Sequence, residues 1–516
     1  MTVIPGRRGF LLLAIFAALI AASAGPASAS LPPGDNILFL GPSADGGCGS
    51  GTIAGMQEGV AEPHVATPTN SPWLQPPSGH FTGSGFYAYG MASTPYAPGF
   101  QGIAGGQWST QTYWTTRCTG GAANSQIFIG CYGLFGDGVD ICTEPGQAAG
   151  LPYPVWLAWE APGGQSVGTG IAYDAVNNGI YLSTYDNCTD NWVCDVTLWS
   201  AGAIWAYGAS LGPTQIATLS GIARPDYLAI DPITQSLFLM GANFGQVISV
   251  SAVNGGNQTV LLSTGPLLSS TVTGIAVDPS TAMVYVLSAA TGDEPNQIAQ
   301  VPESGTGASS LYSGAAMGAS ALATALTIDP ANGVIYWASS PSGTTKSGTA
   351  NTINWGSLDE ASNNATYAFV GEPDASTAAF VQALSVSTYS TSSTVAATGT
   401  TATATAAGVL TVPLTSFTPT GAAARRAGSR AGKPRKVTGD AVVVLRDRRA
   451  RRHVLGKVRA RFSLSANHRG RVRLRVPTGA LAALRQGRLE IVVTTRADGA
   501  SQRARTRVMR VGRPAV

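Results

Sequence analysis

Ala325-Leu326-Thr327-Ile328-Asp329-Pro330, followed after two residues by Gly333-Val334-Ile335-Tyr336-Trp337-Ala338, carries the local pattern from which the architecture follows. The first half alternates apolar and small polar side chains, as a strand with one covered face requires. Asp-Pro then punctuates it: proline presets the turn, and the aspartate side chain can accept hydrogen bonds from nearby backbone N–H groups. The second half carries Val, Ile, Tyr and Trp, which suit a pleated, partly buried surface.

The same phrase occurs three more times. Gly170-Ile171-Ala172-Tyr173-Asp174 precedes Gly179-Ile180-Tyr181-Leu182-Ser183. Tyr227-Leu228-Ala229-Ile230-Asp231-Pro232 precedes Ser236-Leu237-Phe238-Leu239-Met240. Gly274-Ile275-Ala276-Val277-Asp278-Pro279 precedes Met283-Val284-Tyr285-Val286-Leu287. The aspartates are 57, 47 and 51 residues apart, and self-similarity at such a period means a repeat architecture. Two weaker strands follow each phrase, for example Gln246–Val250 with Thr259–Leu262, and Thr352–Trp355 with Ala365–Phe369. Four strands in a unit of this length describe a propeller blade, which cannot bury both faces alone and must stack against neighbours. The expected fold class is therefore all-β, a β-propeller over residues 31–388. Ala383-Leu384-Ser385-Val386-Ser387 repeats the first strand once more and reads as the strand that closes the ring against the N-terminal part.

The phrase Ile335-Tyr336-Trp337-Ala338 with Ile353-Asn354-Trp355-Gly356-Ser357-Leu358-Asp359 resembles the YWTD and NHL group of propellers, over about residues 165–388. That resemblance implies six blades, with seven as the alternative. Residues 31–160 must then supply about two blades. Asn36–Leu40, Gln126–Ile129 and Val155–Trp159 read as their strands, and a separate N-terminal cap domain is the alternative.

The ends of the chain read differently. Arg7 and Arg8 precede the apolar run Phe10–Ala22 and the small-residue pattern Ala27-Ser28-Ala29, so residues 1–29 are expected to be an export signal, secretory or twin-arginine, cut after Ala29. No later stretch has the ~18 apolar residues of a membrane span. The Ser/Thr/Ala/Gly and arginine composition of 389–438 reads as a disordered linker, because it offers too little apolar surface to offset chain entropy. From 439 to 514 alternation returns: Val458, Ala460, Phe462 and Leu464 against Lys457, Arg459, Arg461 and Ser463, then Val472, Leu474 and Val476 against Arg471, Arg473 and Arg475. About five strands suit a small β-sandwich. Gly470-Arg471-Val472-Arg473-Leu474 and Ala480-Leu481-Ala482-Ala483-Leu484 resemble the Arg-rich immunoglobulin-like modules that end many secreted bacterial proteins.

Charge is partitioned. Residues 31–420 hold three basic residues (Arg117, Arg224, Lys346) against 23 acidic ones, a balance of −20, and 421–516 hold 26 basic against four acidic, +22. The basic module is expected either to meet an anionic cell-envelope polymer or to present a solvated face that protects sheet edges. Export argues against nucleic acid, and a monomer is expected.

Chemistry finds no constellation. The histidines are His64, His80, His453 and His468, and no nucleophile motif or metal-protease motif accompanies them. The repeated Asp174, Asp231, Asp278 and Asp329 read as turn-holding residues rather than metal ligands. Asp186, Asn187, Asp190, Asn191 and Asp195 gather oxygen ligands of the calcium kind but lack the glycine and spacing of a calcium loop. No cofactor is expected, with calcium as the alternative. Six cysteines in an exported chain read as disulfides: Cys188 with Cys194 across one loop, with the pairing of Cys48, Cys118, Cys131 and Cys142 left open. The expectation is a secreted or envelope-associated, non-catalytic binding protein with an unknown ligand. The alternative is a propeller-type hydrolase or lyase with its site in the N-terminal loops.

Overall fold

The structure is a computed structural model. It describes residues 35–41, 52–57, 86–93, 109–118, 126–135, 138–140 and 155–161, most of 166–359, then 365–369, 383–388, 394–417 and most of 436–512. The export segment, His64, His80, Cys48, Cys142 and the arginines of 421–435 lie outside the described residues, as do the side chains of Cys118 and Cys131.

The strands form antiparallel sheets in chain order. β1 (Asp35–Gly41) pairs with β2 (Thr52–Gln57). β3 (Phe86–Ser93), β4 (Ser109–Cys118), β5 (Gln126–Phe135), β6 (Gly138–Asp140) and β7 (Val155–Glu160) form the next sheet. Each repeated phrase then opens a four-stranded meander. The first is β8 (Ser166–Asp174), β9 (Gly179–Asp186), β10 (Val193–Gly202) and β11 (Thr214–Ala223). The second is β12 (Leu228–Asp231), β13 (Ser236–Met240), β14 (Gln246–Ser251) and β15 (Thr259–Ser263). The third is β16 (Val272–Asp278), β17 (Met283–Ser288), β18 (Gln297–Pro302) and β19 (Ser309–Ser313). The fourth is β20 (Ala321–Asp329), β21 (Val334–Pro341), β22 (Thr352–Ser357) and β23 (Ala365–Phe369). The expected closing strand, β24 (Ala383–Thr388), pairs with β1, with Val386 opposite Ile37. The architecture is all-β and propeller-like.

Successive sheets are held face to face by apolar layers. Val196, Leu198 and Tyr181 of the first repeat pack on Leu228, Leu237 and Leu239 of the second. Phe238 and Val247 of the second pack on Val277, Val284 and Val286 of the third, and Tyr285 and Leu287 of the third on Ile335 and Trp337 of the fourth. The opening strands approach so closely that Gly170 and Gly274 have no room for a side chain: a Cβ would lie 2.8 Å from Leu228 Cβ and 2.5 Å from Leu326 Cβ respectively.

The turn between the first two strands has one design throughout. Asp174, Asp231, Asp278 and Asp329 are fully buried. Oδ1 of Asp174 accepts from the N–H groups of Val176 and Asn177, that of Asp231 from Ile233 and Thr234, and that of Asp278 from Ser280. Four residues past each aspartate the backbone is left-handed, at Asn178, Gln235, Ala282 and Gly333, the geometry that lets a type I turn feed the next strand.

One expectation is corrected. Residues 389–438 are not a linker throughout, because β25 (Thr394–Ala397), β26 (Thr401–Ala404) and β27 (Val409–Phe417) occupy them, and β28 (Lys436–Asp447) begins inside the stretch. With β29 (Ala450–Ser465), β30 (Arg469–Arg475), α1 (Thr478–Arg485), β31 (Leu489–Ala497) and β32 (Arg505–Val511) they build the C-terminal module. β27 pairs with β25, β26 and β30, while β29, β28, β31 and β32 form a second run joined to the first through β26. Leu410, Val412 and Leu414 of the supposed linker share one core with Val443, Leu445, Ile491, Val493 and Leu484. Small Thr and Ala side chains pass for linker composition, yet in β26 and the first half of β27 the side chains alternate inward and outward, and in β25 all four residues are buried. Among the described residues no helix is long and apolar enough to cross a membrane.

Gly274→Ala should destabilise the fold by about 1–3 kcal/mol, the cost of forcing a methyl into a filled space. Gly202→Ala, where the new Cβ meets nothing within 4 Å, should shift stability by under about 0.5 kcal/mol. Urea unfolding of both variants checks the pair, and equal midpoints would refute close packing of the opening strands.

Candidate functional site

In a four-stranded meander the first and third turns lie at one end of the sheet. The second turn and the connection to the next sheet lie at the other. The C-terminal module sits on the first-and-third-turn end, and its attachment is built from arginines that composition alone could not assign.

Arg505 of β32 is the main anchor. Its side chain is 3% exposed, and it reaches Oδ2 of the fully buried Asp278 at 2.9 Å and Oδ2 of Asp359 at 3.3 Å. Nη1 also donates to the carbonyl of Pro330, and Thr506 N–H donates to Asp359 Oδ2 at 3.2 Å. Burial works against this cation, but Asp359 and Asp278 outweigh it and raise its pKa. Arg469 of β30 repeats the arrangement one sheet earlier, with Nη2 3.0 Å from Glu303 and 3.5 Å from the buried Asp231. In both clamps one guanidinium joins the first-turn aspartate of one repeat to a third-turn carboxylate of the next. A backbone bond from Gly399 N–H to Thr281 O (2.9 Å) adds a third attachment, and Arg507 Nε donates to Gly399 O at 3.2 Å. Among the described residues no arginine reaches the Asp174 turn. Its Oδ2 accepts instead from Gln235 Nε2 (2.9 Å) and Asn177 Nδ2 (2.8 Å).

The two clamps differ in electrostatics. Arg505 is sealed, whereas the Arg469 side chain is 43% exposed. Burial, then the adjoining Asp231, push the Glu303 carboxyl up to about 9, so it holds its proton at neutral pH despite Arg469. Beneath the Arg505 clamp, burial pushes the Tyr285 hydroxyl up to about 12.

A crevice of about 510 Å³ runs beside the Arg505 clamp between body and module. Gln300, Thr306 and Ser309 line it from the body, and Thr401, Glu490 and Arg510 from the module. Threonine and serine hydroxyls share its lining with Leu358, Val508 and Met509, and its Asp359 is already bound to Arg505. It is a polar seam and holds no nucleophile paired with a base.

The remaining sequence candidates fall elsewhere. Cys188 and Cys194 form a disulfide across the second turn of the first repeat, at the end opposite the module. In that loop Asn187 Nδ2 donates to Asp195 Oδ2 at 3.2 Å, while Asp190 and Asn191 lie outside the described residues. His453 and His468 are exposed on the module. The four repeated aspartates are turn residues, as read, but a second role for two of them was missed: Oδ2 of Asp231 and of Asp278 receives a module arginine. The available signal was that 31–420 holds almost no cations to serve its own carboxylates.

No known family description matches this sequence, and no curated protein matches it. Among solved structures the chain is similar to one in a nidogen/laminin complex, at 14% identity over 57% of this chain and 87% of that one, with a TM-score of 0.36. It is also similar to a putative 6-phosphogluconolactonase from Bacteroides fragilis NCTC 9343, at 11% identity over 69% of this chain and 99% of that one, with a TM-score of 0.32.

Two predictions follow from the clamps. Arg505→Met leaves two buried carboxylates without a cation and should cost about 3–5 kcal/mol, while Arg469→Met, removing a half-exposed cation beside a Glu303 carboxyl whose raised pKa favours a proton, should cost less. Equal losses in urea unfolding would contradict the ranking. Glu303 has its folded pKa raised from 4.5 to about 9, so its contribution to stability is complete below pH 4.5 and is lost as pH rises through about 9. Glu303→Gln should therefore flatten the pH dependence of the unfolding midpoint across that interval, and an unchanged profile would show that Glu303 ionises freely in the folded state.

Proposed function

We propose that this is an exported, non-catalytic binding protein, a six-bladed propeller that presents one end to an extracellular ligand and carries a β-sandwich on the other. The six-bladed reading is supported by the order in which opening strands adjoin: β3 beside β8, then β12, β16, β20 and β24, with β24 beside β3 again. Residues 31–160 are then divergent blades, and β24 with β1 and β2 makes the closing sheet. The sandwich reading is supported by two runs of strands that share one core.

The observation that carries the functional reading is the polarity of the body. The module is fixed to the first-and-third-turn end by Arg505, Arg469 and Gly399. The opposite end is marked by the facing ends of the second and third strands of each repeat, Asp186 and Val193, Met240 and Gln246, Ser288 and Gln297, Pro341 and Thr352. Loops on a rigid scaffold are where recognition is ordinarily placed, and the Cys188–Cys194 staple braces one of them.

Capture on glycan and peptide arrays tests the reading. Replacing 241–245 and 289–296 with glycine-serine segments should abolish capture by the intact protein. Thr306→Ala with Ser309→Ala, in the polar seam at the other end, should leave capture unchanged. Capture that survives the loop replacement, or that is lost only with the seam variant, would sink the proposal.

A further inference from the structure

The module carries more arginine than its attachment uses, and the surplus is unevenly distributed. On the β28–β29 side three arginines have acidic partners: Arg459 lies 2.7 Å from Asp440, Arg461 2.6 Å from Asp498, and Arg488 3.4 Å from Asp447. On the other side β30 places Arg469, Arg471, Arg473 and Arg475 on one face at period two. Arg469 is spent on the body. Arg471, Arg473 and Arg475 are exposed and have no ion pair or hydrogen bond with any described residue.

The surface around these three is built from the residues that composition had assigned to a linker. Arg471, Arg473 and Arg475 stand opposite Pro413, Thr411 and Val409 of β27, and Thr411 stands opposite Thr403 of β26. Residues directly opposite in an antiparallel pair share a face, so the arginine row is flanked by threonine hydroxyls. β25, β26, β27 and β30 contain no acidic residue, and their one aromatic, Phe417, is buried. The face is cationic, carries the Thr411 and Thr403 hydroxyls, and in these strands has no carboxylate like those that pair with Arg459, Arg461 and Arg488 on the other side.

We infer that the Arg471–Arg473–Arg475 row is the binding face for a linear polyanion, specifically a phosphodiester-linked polyol chain. Guanidinium forks and hydroxyls suit phosphate oxygens. Alternate residues of a strand are about 7 Å apart. A phosphodiester polymer with a three-carbon monomer repeats its charge at the same interval, since its unit spans about as many backbone bonds as two amino-acid residues. Single-stranded nucleic acid is disfavoured, because its binders add aromatic side chains on which bases stack and this face has none exposed. The proposal concerns the module and does not depend on which ligand the propeller loops take.

The test is binding of the intact protein to polyglycerol phosphate, polygalacturonate and an oligothymidylate between 50 and 200 mM salt. Arg471→Gln/Arg473→Gln/Arg475→Gln should weaken binding to polyglycerol phosphate about tenfold and lower the salt slope by about two, as loss of three phosphate contacts requires. Arg459→Gln/Arg461→Gln should change it less than about twofold, because those cations are already paired. The corresponding triple lysine variant keeps the charge and should retain part of the binding, and unfolding midpoints of all variants should match the parent. An unchanged triple glutamine variant, an equal loss in the β29 variant, or a parent protein that binds none of the three polymers would overturn the site. Binding of oligothymidylate or polygalacturonate as tight as that of polyglycerol phosphate would overturn the assigned chemistry.

Discussion

A buried carboxylate has two oxygens, and holding a turn needs only one. The repeat exploits this at Asp231 and Asp278, where Oδ1 accepts from the backbone of its own turn and Oδ2 is left facing the next sheet. An unpaired buried charge costs several kcal/mol, so that second oxygen must be met. At Asp174 it is met within the body by Gln235 and Asn177. At Asp231 and Asp278 no described residue of the body supplies a cation, and the module supplies Arg469 and Arg505. The order of the first-and-third-turn end therefore depends on a domain that begins more than a hundred residues later in the chain than those turns.

The same constraint makes sense of the charge partition. A body with three basic residues against 23 acidic ones would repel itself if isolated, and simple electrostatic attraction to a basic module would be weak and screened by salt. The clamps convert that attraction into fixed geometry. Arg505 is enclosed by Asp278, Asp359 and the Pro330 carbonyl, and a Cβ at Gly333 would lie 2.9 Å from its Nε. The left-handed glycine at the end of the Asp329 turn thus leaves the space the guanidinium occupies. The Arg469 clamp is the more open of the two, its side chain 43% exposed, and burial raises the pKa of its Glu303 carboxyl.

Much of the fold was legible because its signals are local. The Asp turns, the alternation of the opening strands, the closing strand at 383–387 and the Cys188–Cys194 bridge each depend on residues close in sequence, and each is found where expected. What escaped was non-local. β25 to β27 are made of Thr, Ala, Val and Leu in proportions that also describe a linker, and only their pairing with β30 and β32 distinguishes the two. In β32 Arg505 and Arg507 share the inward side with Met509 and Val511, while Val508 is 51% exposed. Which side of a strand turns inward is set by what faces it, and for Arg505 that is a carboxylate from another domain.

Holding the module rigidly also decides how two binding functions on one chain would relate. β30 begins at the body with Arg469 and carries Arg471, Arg473 and Arg475 away from it at about 7 Å intervals. A polymer lying along that row would run outward from the first-and-third-turn end, and the second-turn loops would face the other way. On a flexible tether the two faces would sample every relative orientation, and one could fold back on the other. The clamps remove that freedom, so the entropy of orientation is lost once, on folding, and not again at each binding event.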